Sequence, residues 1–88
     1  MLSRTTTIGS TVGLHARPAA QFAKAASATG LAVTIAVDGG EPVDATSLLA
    51  VMTLGAAHQQ TVTLTAEGKG AEEVLDSLAT LLSTDLDA

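Results

Sequence analysis

No cysteine occurs among the 88 residues, which excludes disulfides and thiolate-metal sites and leaves stability to packing alone. Tryptophan and tyrosine are missing as well, and Phe22 is the one aromatic residue. The core must therefore be built from Leu, Val, Ile and many Ala, so its elements should approach closely. With 47% hydrophobic residues, the chain can supply one. Basic residues are scarce: four Lys and Arg stand against nine acidic residues, a net charge of −5. That argues against nucleic acid as a partner, because its phosphates require a basic stripe. No run approaches the roughly 18 apolar residues of a membrane span. The start, Met1-Leu2-Ser3-Arg4-Thr5-Thr6-Thr7, has no apolar signal-peptide stretch. A soluble, cytoplasmic protein is the expectation. Two histidines without cysteine, and without H-x-x-x-H spacing, give no metal site. Gly68-x-Gly70 lacks the rest of any nucleotide-binding pattern, so no cofactor is expected.

What the chain does contain is a regular alternation of patterns, with no repeat or linker to divide it, and residues 1–88 are read as one domain. Residues 2–8 are threonine-rich and β-prone, with Leu2, Arg4, Thr6 and Ile8 on one parity. Ala16 to Ala28 favour helix, with Ala19, Phe22, Ala23 and Ala26 on one stripe and Gly30 as the stop. Leu31, Val33, Ile35 and Val37 alternate as a strand, and Asp38-Gly39-Gly40 signals a hairpin turn. A short return strand is expected at 41–43, demoted to an edge by Pro42. Asp44, Thr46 and Ser47 are all good N-caps for a short helix over Leu48–Leu54, closed by Gly55. Thr61–Ala66 reads as the last strand and 71–83 as the last helix, with Val74, Leu75, Leu78, Leu81 and Leu82 on one side. The order β-α-β-β-α-β-α, with one apolar face per strand, predicts an α/β open-faced sandwich: an antiparallel sheet covered on one side by helices.

The stretch Gly13-Leu14-His15-Ala16-Arg17-Pro18-Ala19-Ala20 carries the chemistry. Pro18 belongs in a first helical turn, where its missing N–H costs nothing. That puts His15 at the N-cap and leaves the backbone N–H groups of Ala16 and Arg17 without intrahelical acceptors. Such donors, together with the helix dipole, favour an anion. Arg17 adds a fork-shaped donor suited to phosphate oxygens. Ala16, Ala19 and Ala20 keep the approach open. Each part also has a plain explanation: His15 as a cap or surface residue, Arg17 as a solvated charge, Pro18 as a helix starter. Together they point to an anion or phosphate site. Arg4, Arg17 and Lys24 fall within the first 24 residues, which suggests a locally basic surround for His15. Glu72, Glu73, Asp76, Asp85 and Asp87 crowd the end and read as solvated helix surface and chain terminus.

This octapeptide resembles the active-site signature of the HPr family, the histidine-containing phosphocarriers of the bacterial phosphoenolpyruvate:sugar phosphotransferase system. Ser47-Leu48-Leu49-Ala50-Val51-Met52-Thr53-Leu54-Gly55 resembles that family's second signature, and the length and element order agree. The resemblance implies that His15 is phosphorylated by phospho-enzyme I and donates to the IIA domains of sugar permeases. It implies that Arg17 steadies the phosphoryl group and that the protein is a carrier rather than an enzyme. An exposed loop–helix junction suits a group that must meet two partners.

The family likeness also implies a regulatory phosphosite at Ser47, dependent on a dedicated serine kinase or phosphatase, and a transcriptional regulator among the partners; a helix cap is the plain reading. Leu48, Leu49 and Met52 form the candidate docking patch, with Ala20 and Lys24 from the first helix nearby. Against this, Leu48 and Met52 could lie wholly in the core. Lysines frequent in relatives around Ser27 and Ala50 are missing, which weakens electrostatic steering towards acidic partners. His58, in the loop before the last strand, is expected at the surface. Two other circuits stay open: a paralogue in a nitrogen-related or other phosphorelay, and a non-catalytic regulatory module. The expected state is a monomer.

Overall fold

The threonine-rich start forms β1 (Leu2–Thr7), and the six remaining elements follow in the expected order: α1 (Ala16–Ala28), β2 (Ala32–Val37), β3 (Val43–Asp44), α2 (Leu48–Thr53), β4 (Thr61–Glu67) and α3 (Ala71–Ser83). The computed structural model describes residues 2–11 and 13–84; Asp85 and Asp87, assigned above to the chain end, lie outside them. The four strands make one antiparallel sheet in the order β1-β4-β2-β3.

Register explains the two faces. Arg4, Leu64 and Ile35 form one cross-strand row, and Thr6, Val62 and Val37 another. These rows lie on the side covered by helices: Thr6 Oγ1 donates to the carbonyl of Ala79 in α3 at 3.2 Å. Arg4 Nε meets Asp76 Oδ1 at 2.8 Å, and its guanidinium reaches Glu72 at 3.6 Å. On the other face Thr5, Thr63 and Ala36 are aligned, as are Ser3, Thr65 and Thr34, with the Thr34 and Thr65 hydroxyls hydrogen-bonded. Short hydroxyl side chains dominate this open face, and Asp44 opposite Thr34 and Glu67 opposite Ala32 add its carboxylates.

The core lies between the sheet and the helices. Phe22 is fully buried among Ile35, Leu64, Leu75, Leu82 and a set of alanines that includes Ala19, Ala26 and Ala66. The expected stripe of α1 is buried throughout (Ala19, Phe22, Ala23 and Ala26), whereas that of α3 buries Leu75, Leu78 and Leu82 and leaves Val74 and Leu81 half-buried at its edges. Burial of a side chain such as Phe or Leu stabilises by about 1.5–3 kcal/mol, and small alanines between them let the layers close up.

Two expectations need correcting. The return strand is not at 41–43 but at Val43–Asp44, paired with Ile35 and Thr34. Pro42 has no N–H to give a ladder, so pairing begins only after it. Second, the basic surround of His15 does not include Arg4, whose charge is taken up by the acidic first turns of α3.

Candidate functional site

His15 stands at the N-cap of α1 in an extended conformation (φ −90°, ψ −166°), and its side chain makes no capping hydrogen bond. Its carbonyl accepts the Ala19 N–H at 2.9 Å, which starts the helix. Pro18, in the first turn, is buried, while His15, Ala16 and Arg17 are exposed. The amides of Ala16 and Arg17 therefore sit at the helix start beside an accessible imidazole and guanidinium, as the spacing predicted.

The approach to His15 is fixed by the segment that follows α2. Gly13 has φ +80°, and an added Cβ would stand 2.6 Å from the Ala56 carbonyl oxygen. Only glycine tolerates both the left-handed backbone and that contact. The close approach lets the Leu14 N–H reach the same carbonyl at 2.8 Å. Leu14, His15, Met52, Gly55, Ala56 and Ala57 then line one open depression. His15 thus shares a surface with the end of α2.

α2 is held by Ser47, whose hydroxyl accepts the Ala50 N–H at 3.3 Å. Of the three caps the sequence offered, Ser47 is the one used. Asp44 instead accepts from the Thr46 hydroxyl at 2.7 Å and the Thr46 N–H at 2.9 Å, and these bonds hold its carboxyl below the ordinary range. Val51 is the buried residue of α2. Leu49 is 75% exposed, Leu48 40% and Met52 39%. The placement of Leu48 and Met52 wholly in the core is therefore wrong: a six-residue helix lying on α1 has one inward position, and Val51 takes it. Leu48 shares a shallow groove with Ala20, Lys24 and Ser27 of α1. Of the residues singled out from sequence, Ala20, Lys24 and Leu48 line one depression and His15 and Met52 another, with α2 contributing to both; Arg17 and Leu49 line neither.

The family model described as PTS HPr component phosphorylation site matches residues 2–84. The chain belongs to the HPr family. Phosphocarrier protein HPr of Streptomyces coelicolor is 46% identical over 87 residues, spanning 99% of this chain and 94% of that protein. Phosphocarrier protein HPr of Haloferax volcanii is 43% identical over 84 residues, 94% of each. The solved structure of HPr-C-His from Thermoanaerobacter tengcongensis superposes with a TM-score of 0.89 at 34% identity, covering 100% of this chain and 98% of that one. The open-faced sandwich is therefore the HPr fold, and the phosphocarrier of the phosphotransferase system is the family's type. No helix among the described residues is long and apolar enough to cross a membrane.

Against the HPr frame, one residue outside the signatures is closer to the site than expected. His58 is exposed as anticipated, but its Nδ1 lies 3.1 Å from the Ser10 carbonyl oxygen, in the segment leading to His15. No local pattern signals that contact, because the partners are 48 residues apart. A concavity between α1 and α3 includes neither His15 nor Arg17.

Proposed function

We propose that the protein carries a phosphoryl group on the imidazole of His15, taking it from phospho-enzyme I and passing it to the IIA domains of sugar permeases. The observation that carries this reading is the exposed His15 at the start of α1, with the exposed Arg17 two residues on. A ring-nitrogen lone pair of His15 attacks phosphorus as the donor's P–N bond breaks; in the second transfer the acceptor's nucleophile attacks phosphorus as the His15 N–P bond breaks and the ring recovers its lone pair. The amides at the helix start and the Arg17 guanidinium supply donors for the three phosphoryl oxygens. Positioning and charge stabilisation suffice for such a transfer, which needs no metal or cofactor held by this chain. The protein is thus a carrier and not an enzyme in its own right.

Exposure serves this role. A phosphohistidine sealed in a pocket could not meet a donor and an acceptor in turn, whereas the loop–helix junction is open to both. Leu48, Leu49 and Met52, with Ala20 and Lys24, form the docking surface beside it. Their exposure and the share of α2 in both depressions support that assignment. With phosphoenolpyruvate and enzyme I, the wild type gains one acid-labile, base-stable phosphate, and His15→Ala gains none. Stoichiometric labelling of His15→Ala would defeat the proposal.

A further inference from the structure

The segment that delivers His15 is fastened along its length by the segment between α2 and β4. The Ile8 N–H donates to the Gln60 carbonyl at 3.1 Å, the Gln59 N–H to the Ile8 carbonyl at 2.7 Å, and the Leu14 N–H to the Ala56 carbonyl at 2.8 Å. These are backbone bonds that many side chains would permit. The fourth tie is different: His58 Nδ1 to the Ser10 carbonyl at 3.1 Å. A carbonyl oxygen only accepts, so Nδ1 carries the hydrogen in that bond, in the neutral ring and in the charged one alike. The same carbonyl accepts the Gly13 N–H at 3.0 Å. Ser10 itself is only 1% exposed, so water is a poor substitute for either donor.

We propose that His58 is a positioning residue for His15: by holding the Ser10 carbonyl, which also accepts from the Gly13 N–H, it fixes Ser10 and Gly13 relative to the segment after α2. That places the Leu14 N–H on Ala56 and sets His15 at the start of α1. The inference rests on the reading of His15 as the phosphoryl acceptor. Phosphoryl transfer depends on alignment of the attacking nitrogen, so a small displacement of the loop lowers the rate of transfer while the docking surface on α2 stays intact. His58 touches neither phosphate nor partner in this role; it acts through Ser10.

The test compares His58→Ala with His58→Asn, whose side-chain amide can donate from about the place of Nδ1. Single-turnover phosphorylation by phospho-enzyme I is followed over a range of carrier concentrations. His58→Ala is expected to lower the maximal rate roughly two- to tenfold, the range one hydrogen bond supports, with an unchanged half-saturating concentration. Amide exchange at Gly13 and Leu14, measured on the unphosphorylated protein, rises in parallel, while Tm stays within a few degrees. His58→Asn restores both rate and protection. An unchanged maximal rate in His58→Ala, a change confined to half-saturation, or a loss that asparagine does not restore overturns the role. The exchange measurement separates the two claims. If the wild type accepts no phosphate, the reading of His15 fails and the positioning role falls with it, whatever the exchange shows. If the wild type is labelled but exchange and rate ignore residue 58, only the positioning role fails.

Discussion

Gly13→Ala should be far more damaging than Gly30→Ala, although the two glycines have nearly the same backbone angle, φ +80° and +73°. The left-handed conformation costs a non-glycine residue about 1–2 kcal/mol. Stiffening of the unfolded chain by alanine returns about 0.4–1 kcal/mol of that. Gly30, which closes α1, has nothing within 4 Å of an added Cβ, so Gly30→Ala should destabilise by about 1 kcal/mol, the backbone cost alone. At Gly13 the new methyl would stand 2.6 Å from the Ala56 oxygen and 3.2 Å from the Ala57 Cα. Both neighbours are backbone, so neither can rotate away. The two segments must part, and the Leu14–Ala56 hydrogen bond, worth about 1 kcal/mol, is stretched or lost. Strain in the displaced backbone brings the total to about 3 kcal/mol. For a domain of this size, each kcal/mol moves Tm by about 4–8 °C, so the variants should differ by about 8–16 °C. Urea and thermal melts of both, run beside the wild type, give the comparison directly. Losses equal within about 0.5 kcal/mol would refute the idea that a close approach, and not the backbone angle alone, dictates glycine at position 13.

Among the described residues, Gln59 is the non-glycine residue with positive φ, 66°, and its contribution to the loop is a backbone N–H. Gln59→Gly should therefore raise stability by about 0.5–1 kcal/mol, read as a higher urea midpoint at unchanged slope. Asp44 has its carboxyl pKa held below the ordinary 3.8 by the Thr46 hydroxyl and amide. Because the folded value is the lower one, the stabilisation is present above the unfolded pKa and fades as pH falls through the folded one. The difference in urea midpoint between wild type and Asp44→Asn should accordingly shrink on acidification below about pH 4, and a difference constant from pH 7 to pH 2.5 would contradict it. Leu49→Asp should change stability by less than about 0.5 kcal/mol, since the side chain is 75% exposed, while raising the half-saturating concentration in transfer assays about tenfold or more.

How much was legible beforehand follows from how local each signal is. α1 and α3 could be placed almost to the residue because their stripes repeat every three or four positions and glycines stand at their ends. β3 begins two residues later than expected because hydropathy does not say on which side of a proline the ladder begins. The octapeptide revealed His15, Arg17 and Pro18 because their relation is sequential. The exposure of Leu48 and Met52 had to await the packing of α2 on α1, which allows a six-residue helix a single inward residue. Longest-range of all are the ties of His58 to Ser10 and of Arg4 to α3. They depend on which loops the sheet order brings together, and nothing within a window of ten residues encodes them.

The alanines in the core carry a further consequence. Ala19, Ala26 and Ala45 are fully buried, and Ala23, Ala56, Ala66 and Ala71 nearly so. An alanine side chain has no rotamers to freeze, so these positions surrender no side-chain entropy on folding, which helps an 88-residue chain with one aromatic ring and no crosslink to remain folded. The same positions make the interior asymmetric towards mutation. Truncation has little to remove there, whereas each added methyl group must force apart layers already in contact. A chain of this kind is constrained in its divergence chiefly by growth of its small residues, and the limits on its sequence are set by the space between elements more than by the identity of its large side chains.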